Sequence, residues 1–151
     1  MISRLSAVGV AVLLLAGCSG EATDSPAPAS PPPSGSASPP APPAVAGVQP
    51  AAQAYVDAVN REDLDALVAA FAPDGKVIDV SRTIAGRDAI RDWARNEVIG
   101  GRLRVLSIAE RRTGGQKLLV HWAPAGSDGW RAHYDFTVSG NGIRTADLQY
   151  A

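Results

Sequence analysis

The chain has 151 residues, a formal net charge of −1 and a single cysteine, Cys18, which excludes an intrachain disulfide. Arg4, Glu21 and Asp24 are the only charged residues before residue 48, so residues 48–151 are formally neutral. This charge balance argues against non-specific nucleic-acid binding, which requires a basic face. Residues 48–151 are numerous enough for one modest hydrophobic core.

The first 18 residues have the features of an export signal. Arg4 supplies a positive charge, and residues 7–16 form an apolar stretch too short for an ordinary transmembrane helix. The stretch ends in Leu15-Ala16-Gly17-Cys18, which resembles a bacterial lipobox. The resemblance implies a signal peptide over residues 1–17, cleavage before Cys18, a diacylglyceryl group on its thiol and room for a further acyl chain such as palmitate. An ordinary signal peptide with an incidental cysteine is the alternative.

Residues 18–47 are predicted to be the lipid-anchored cysteine followed by a disordered tether. Prolines alternate there with alanine, serine and glycine, and no large apolar side chain precedes Val45. Such a stretch cannot bury enough surface to offset its chain entropy. Proline favours extended polyproline II, so residues 19–47 would reach up to ~90 Å from a bilayer at roughly 3 Å per residue. A passive spacer is the preferred interpretation, and a proline-rich ligand for a partner is the alternative.

Two amphipathic helices are predicted at the start of the domain. The first runs from about Pro50 to Asn60, because apolar residues recur there at helical spacing. Asp63 is a candidate N-cap for the second helix. The predicted buried stripes consist of Ala52, Tyr55, Val56 and Val59 in the first helix and Leu64, Leu67, Val68 and Phe71 in the second.

A turn, a strand and a third helix are predicted next. Pro73-Asp74-Gly75 is a turn signal, and residues 76–80 alternate as a strand that places Val77 and Asp79 on one face. Residues 81–85 form a short return. A helix beginning at Gly86 would face Ile90, Trp93 and Ala94 inward.

The last third of the chain is predicted to be strands and turns. Strands are expected over residues 102–112, 116–123, 130–138 and 143–150, and Gly140-Asn141-Gly142 is a strong hairpin signal between the last two. The element order predicts an α+β domain over residues 48–151, in which three N-terminal helices cover one face of a curved antiparallel sheet. Such a cone-shaped arrangement would enclose an apolar pocket.

The stretch from Tyr55 to Trp93 resembles the nuclear transport factor 2-like superfamily, and within it the SnoaL-like and ketosteroid-isomerase branch. The resemblance implies that Tyr55 matches a helix tyrosine that donates a hydrogen bond to a substrate oxyanion, and that Asp79 matches a strand acid that shuttles a proton. A third group, a protonated acid, lies in that family two residues before a strand phenylalanine. Alignment on Phe136 places Tyr134 there, and Asp135, offset by one residue, would point to the other face.

Each of these residues also has a plainer structural interpretation. Tyr55 would then be a packing residue, and Asp79 would be a polar group beside a pocket or an ion-pair partner of Arg82. The predicted pocket wall consists of Val77, Trp93, Trp122, Trp130 and Phe136. His121 and His133 do not form a cluster at ligand spacing, so no metal site is predicted, and no cofactor is expected.

Two functions follow as expectations. The first is a lipid-anchored protein on the extracytoplasmic side of the cell membrane that binds a small apolar ligand or a partner without catalysis. The alternative is a cofactor-free isomerase, cyclase or dehydratase in which Asp79 moves the proton, and Tyr55 with Tyr134 stabilises the oxyanion. A homodimer through the exposed sheet face is also expected, with Arg104, Arg112, His121 and Arg131 as candidate lining residues.

Overall fold

The computed structural model describes residues 44–151, so the predicted signal peptide, Cys18 and most of the predicted tether lie outside the described residues. Within residues 44–151, three helices and six strands are formed. Their bounds are α1 (Pro50–Asn60), α2 (Leu64–Ala69), β1 (Phe71–Asp79), β2 (Arg82–Ala85), α3 (Arg87–Glu97), β3 (Arg102–Arg112), β4 (Gly115–Ala123), β5 (Trp130–Ser139) and β6 (Gly142–Tyr150).

The helices begin where the sequence predicts. Pro50 opens α1, where its missing N–H costs no helical hydrogen bond. The Asp63 carboxylate accepts a hydrogen bond from the Ala66 N–H at 2.9 Å and thereby caps α2. Gly86 precedes α3 with a φ of 85°, a backbone conformation that favours glycine.

Strand β1 begins earlier than predicted, and the turn expected at Pro73-Asp74-Gly75 is wrong. These residues lie inside β1, where its register against β6 shifts between Phe71 and Lys76. Gly75 permits the close approach, because a Cβ there would lie 2.8 Å from the Ile143 carbonyl oxygen. The turn-forming residues therefore make an irregularity in a strand instead of reversing the chain.

The six strands form one sheet in the order β2-β1-β6-β5-β4-β3. Strands β3 to β6 pair as an antiparallel meander, whereas β1 pairs in parallel with β6. The sheet is thus mixed and not wholly antiparallel as expected. The chain between β1 and β6 contains α3 and four strands, which supplies the long crossover that a parallel pair requires. The predicted α+β class and the curved, cone-like arrangement are confirmed.

The helices cover one face of this sheet and seal most of it. The largest side chains buried there are aromatic and aliphatic: Tyr55, Leu67, Phe71, Ile90, Leu118, Phe136 and Ile143. Gln116 is the buried polar residue among them. None of the helices within residues 44–151 is long and apolar enough to cross a membrane.

Gln116 fastens the start of the domain to the sheet. Its side chain accepts a hydrogen bond from the Gln49 N–H at 2.9 Å and donates one to the Gly47 carbonyl at 3.0 Å. Arg111 donates to the same carbonyl at 2.8 Å. The chain therefore enters the domain at a fixed point beside the β3–β4 hairpin, which we call the closed end of the sheet.

Candidate functional site

The strand register places Asp79 and Tyr134 in one row across the covered face. Asp79 pairs with Leu148, Leu148 pairs with Tyr134, and Tyr134 pairs with Leu118. Paired residues of neighbouring strands project to the same face. Two strand spacings, about 10 Å, separate the backbones of Asp79 and Tyr134, and the Leu148 side chain lies between them.

A cleft of about 280 Å³ opens beside this row, at the end of the sheet opposite the closed end. We call this the mouth end, because β4 finishes and β5 starts there. Strands β1, β2, β4, β5 and β6, the C-terminal part of α3 and the β4–β5 loop contribute to its wall. The lining residues are Asp79, Val80, Arg82, Trp93, Glu97, Val98, Trp122, Pro124, Trp130, Ala132, Tyr134, Leu148, Gln149 and Tyr150.

Three tryptophans form much of the apolar wall. Trp122 and Trp130 are paired across β4 and β5, and Trp93 approaches from α3. Gly101 makes room for this arrangement, since a Cβ at that position would overlap the Trp122 ring. All three tryptophans line this cleft.

The Trp93 indole N–H is buried without a hydrogen-bond partner among the described residues. An unpaired buried donor costs about 1–3 kcal/mol. Such a cost is tolerated most readily where a site awaits a ligand or water.

Tyr55 lies behind the cleft and does not line it. It is 1% exposed, and its ring packs 6.0 Å from Phe71, 6.3 Å from Tyr134 and 5.5 Å from Phe136, measured between ring centroids. Burial, and then the negative charge of Asp79, raise the pKa of the Tyr55 hydroxyl well above its ordinary range. Tyr55 is thus a protonated aromatic core residue.

Tyr134, unlike Tyr55, lines the cleft, although its side chain is largely buried. Burial raises the pKa of its hydroxyl well above the ordinary value, with additional contributions from Tyr55 and Asp79. The phenol stays protonated throughout the physiological range and is available as a hydrogen-bond donor. The predicted trio is therefore divided, with Asp79 and Tyr134 at the cleft and Tyr55 in the core beneath them.

Asp79 is held in an ion cluster at the cleft rim. Arg82 forms an ion pair with Asp79 and also binds Glu97 of α3 through both guanidinium nitrogens, at 2.6 and 3.1 Å. Hydrogen bonds to Glu97 first, and to Asp79 second, raise the pKa of Arg82 above its already high value. The same Arg82 contact lowers the pKa of Glu97. This arrangement agrees with the interpretation of Asp79 as an ion-pair partner of Arg82.

The other predicted site residues lie elsewhere. Val77 and Phe136 are completely buried one row further toward the closed end, and they do not line the cleft. Asp135 points to the opposite face, as its one-residue offset predicts, and pairs there with Arg112 and with Lys117 at 3.9 Å. Within residues 44–151, no group of three or more His, Cys, Asp or Glu side chains is placed to hold a metal ion.

Sequence reasoning missed several residues of the mouth. Leu148 and Tyr150 alternate correctly along β6, and pairing that strand with β5 would have found them. Val80 has a φ of 56°, which is rare for a β-branched residue and which no sequence pattern announces. Glu97 reaches the cleft through the tertiary packing of α3 against β2, which local sequence does not encode.

The family model for the SnoaL-like domain matches residues 52–146. The chain belongs to the SnoaL-like domain family. The match extends from α1 into β6 and includes the greater part of the cleft wall. No curated protein matches the sequence.

Solved structures share this SnoaL-like fold. A proposed polyketide cyclase from Sinorhizobium meliloti is 21% identical with a TM-score of 0.60, covering 68% of this chain and 95% of that chain. A computationally designed 17-OHP binder is 14% identical with a TM-score of 0.61, covering 67% of this chain and 88% of that chain. The Anabaena Orange Carotenoid Protein binding canthaxanthin is 20% identical with a TM-score of 0.57, covering 70% of this chain and 37% of that chain. At these identities the likeness establishes the fold alone.

Proposed function

We propose that the SnoaL-like domain binds a small, mainly apolar ligand without catalysis, and that it is the ligand-binding domain of a lipid-anchored extracytoplasmic protein. The observation that carries this proposal is the open cleft walled by Trp93, Trp122 and Trp130. Ligand sites in proteins are typically concave and lined by aromatic and aliphatic side chains with a few polar groups. The cleft has such aromatic and aliphatic walls, and its polar groups are the Tyr134 hydroxyl, the Gln149 side chain and the cluster of Asp79, Arg82 and Glu97.

The cleft volume limits the ligand. About 280 Å³ is at the small end of the range for ligand sites, so the cleft would enclose a compact ring system or one end of a longer molecule. Two proteins that share this fold bind apolar ligands: the designed binder binds 17-OHP, and the carotenoid protein binds canthaxanthin. Those ligands support an apolar ligand here only by analogy of architecture.

The state of Asp79 supports binding without proton transfer. A general base must present a free carboxylate oxygen to the proton that it removes. Here Arg82 binds one oxygen of the Asp79 carboxylate, Oδ2, and links it to Glu97, so the negative charge of Asp79 is already paired. The matching family tyrosine, Tyr55, is enclosed by Phe71, Tyr134 and Phe136 instead of facing the cleft.

The lipid anchor and the membrane location rest on the sequence. The lipobox-like Leu15-Ala16-Gly17-Cys18 and the proline-rich residues that follow it support a domain held outside the cytoplasm on a tether. Mass spectrometry of the protein from its host would test this, since lipidation adds a diacylglyceryl mass to a peptide that begins at Cys18. A peptide with Met1 or with an unmodified Cys18 would contradict the anchor. Dimerisation through the outer sheet face stays a prediction.

Titration with a neutral apolar fluorophore, N-phenyl-1-naphthylamine, tests the binding function. Dye fluorescence should rise on binding, and Ala132→Leu should weaken binding at least tenfold, because Ala132 lines the cleft and the added side chain fills it. Thr137→Leu, on the exposed side of the same strand outside the cleft, is the matched control and should bind normally. Equal binding by both variants, with both shown to be folded by circular dichroism, would refute the assignment of the ligand to this cleft.

A cofactor-free isomerase, cyclase or dehydratase is the second candidate. Its specific support is that Asp79 and Tyr134 lie in one row and line one cleft. Proton transfer would then use the Oδ1 atom of Asp79 or require Arg82 to leave Oδ2. Retention of ligand from the host, measured by native mass spectrometry, separates the two: an Asp79→Asn variant that accumulates an unconverted compound absent from the native protein favours catalysis, whereas the same bound molecule in both favours binding.

A further inference from the structure

Aromatic side chains are concentrated at the cleft. The Trp130 and Tyr150 rings lie 5.9 Å apart between centroids, and Trp122 is paired with Trp130 across β4 and β5. The five aromatic residues that line the cleft come from α3, β4, β5 and β6, and they are Trp93, Trp122, Trp130, Tyr134 and Tyr150. A ligand in the cleft would therefore meet aromatic rings from several elements at once.

The charged side chains that line the cleft carry a surplus of negative charge. They are Asp79, Arg82 and Glu97, so two carboxylates share one guanidinium and the net charge of the lining is −1. Asp128 and Arg131, near the start of β5, have opposite charges and do not line the cleft. The neighbouring charges therefore do not offset the surplus.

Aromatic rings and a surplus carboxylate both attract a cation. The face of an aromatic ring carries the negative part of its quadrupole, and a cation within about 6 Å of the ring centroid is attracted to it, most strongly by tryptophan. The attraction grows where water is excluded. Trp93 and Tyr134 are largely buried, so the inner part of the cleft is shielded from water. The surplus negative charge adds to the attraction of a cation and repels an anion.

The cleft favours a cation that needs few hydrogen bonds. A primary ammonium carries three N–H donors, which must be paired when the group leaves water. Arg82 binds both oxygens of Glu97 and the Oδ2 atom of Asp79, so only Oδ1 of Asp79 lacks a partner among residues 44–151. A quaternary ammonium has no N–H donor, and its methyl groups pack against aromatic rings.

We propose that the cleft is specific for a lipophilic organic cation, with a quaternary ammonium group held among the aromatic rings. This inference rests on the proposed ligand-binding function and narrows the ligand to mainly apolar molecules that carry one positive charge. A free cation is favoured over a phosphocholine headgroup, because the phosphate would add a further negative charge beside Asp79 and Glu97.

Two compounds of the same shape test the preference for positive charge. Phenyltrimethylammonium is a cation, and tert-butylbenzene has carbon in place of its nitrogen. Each is used to displace N-phenyl-1-naphthylamine from the whole chain. A cleft that is only apolar should bind tert-butylbenzene more tightly, because the cation loses its hydration on entry. We expect the opposite order, with phenyltrimethylammonium effective at a concentration at least about tenfold lower.

Two variants separate the contribution of the rings from that of the charge. Trp130→Leu keeps an apolar side chain but removes a ring, so it should reduce the preference for the cation by at least about threefold. Glu97→Gln removes the surplus charge and should weaken phenyltrimethylammonium by about threefold or more without weakening tert-butylbenzene. Glu110→Gln makes the same change toward the far end of β3, outside the cleft, and should alter neither compound.

Three results would overturn the preference for a cation. If tert-butylbenzene displaces the dye as well as phenyltrimethylammonium does, the cleft is a plain apolar site. Equal losses in Glu97→Gln and Glu110→Gln would show attraction to the protein as a whole and not to the cleft. Tighter binding of phosphocholine than of choline would assign the cleft to a zwitterionic headgroup.

The same measurements distinguish failure of this inference from failure of the ligand-binding function. Dye binding at the cleft without a preference for phenyltrimethylammonium refutes the cation alone. A folded protein that binds neither the dye nor, in a calorimetric titration, phenyltrimethylammonium refutes the ligand-binding function itself.

Discussion

The closed end and the mouth end of the sheet use the same strands for opposite purposes. At the closed end, Val77 and Phe136 are sealed beneath Tyr55 of α1, and Gln116 clasps the incoming chain. One row further along, Tyr134 lies at the edge of an open cleft. The alternation of apolar residues is similar in both regions, so the covering element decides whether a row becomes core or pocket. Stability should therefore depend on the closed end, and binding on the mouth end.

The largest expected contrast is between Phe136→Ala and Trp130→Ala. Phe136 is completely buried, so its loss leaves a cavity and should lower the free energy of unfolding by about 3–5 kcal/mol. Trp130 is more than one-third exposed, so Trp130→Ala should lower the free energy of unfolding by less than about 2 kcal/mol. Urea denaturation measures both. Equal losses would show that the mouth end is part of the cooperative core, which would contradict the division.

The buried tyrosines should make the domain sensitive to alkali. The pKa of Tyr55 and that of Tyr134 are raised in the folded state, so their contribution is complete below the ordinary tyrosine pKa of about 10 and is lost as the pH rises above it. Each should remove about 1.4 kcal/mol of stability per pH unit in that window. In denaturation series from pH 9 to 11.5, Tyr55→Phe should make the free energy of unfolding fall less steeply with pH. Phe136→Leu is the control, because it should lower stability at every pH and leave the slope unchanged.

The hydrogen bonds of Gln116 should contribute less to stability than the buried tyrosines, and their effect should be local. Gln116→Ala leaves the Gln49 N–H without its partner and removes one of the two donors to the Gly47 carbonyl, at a cost of about 1–3 kcal/mol. Amide exchange should accelerate at residues 47–49 while the N-phenyl-1-naphthylamine affinity stays unchanged. Lys117→Ala, at the neighbouring and partly exposed position, is the control and should alter neither. A loss of dye binding in Gln116→Ala would mean that the two ends are coupled.

Most of the fold could be predicted from local sequence, because its signals are local. The bounds of α1, the Asp63 cap and the four strands of the meander follow from spacing, capping chemistry and turn residues. The parallel pairing of β1 with β6 could not be predicted, since it depends on where a distant strand leaves an open edge. For the same reason Pro73-Asp74-Gly75 was taken for a turn: its residues suit a chain reversal, but its surroundings impose a strand.

The candidate site was predictable only in its parts. The tryptophans and Asp79 are identified by alternation, because each faces the covered side of its strand or helix. Local sequence does not show which row of side chains on the covered face is buried in the core and which one lines the cleft. Val77 and Phe136 project to the same face as the cleft residues, yet the rings of Tyr55 and Phe71 close over that row. The contact of Arg82 with Glu97 likewise requires α3 to be placed first.

The smallest predicted effect concerns the ion cluster at the mouth. Because Arg82 lowers the pKa of Glu97, the contribution of this pair is present above the ordinary glutamate pKa of 4.5 and is lost as the pH falls below it. Both side chains are about half exposed, so Glu97→Gln should cost less than about 1 kcal/mol at pH 7 and should remove part of the acid-dependent loss. Glu110→Gln, at the far end of β3, is the matched control and should retain that loss. Arg82 also binds Asp79 at the cleft, so the loss of its contact with Glu97 should change the dye affinity at pH 7 more than it changes the free energy of unfolding. A larger effect on the free energy of unfolding than on dye affinity would show that the cluster is structural, like the residues of the closed end.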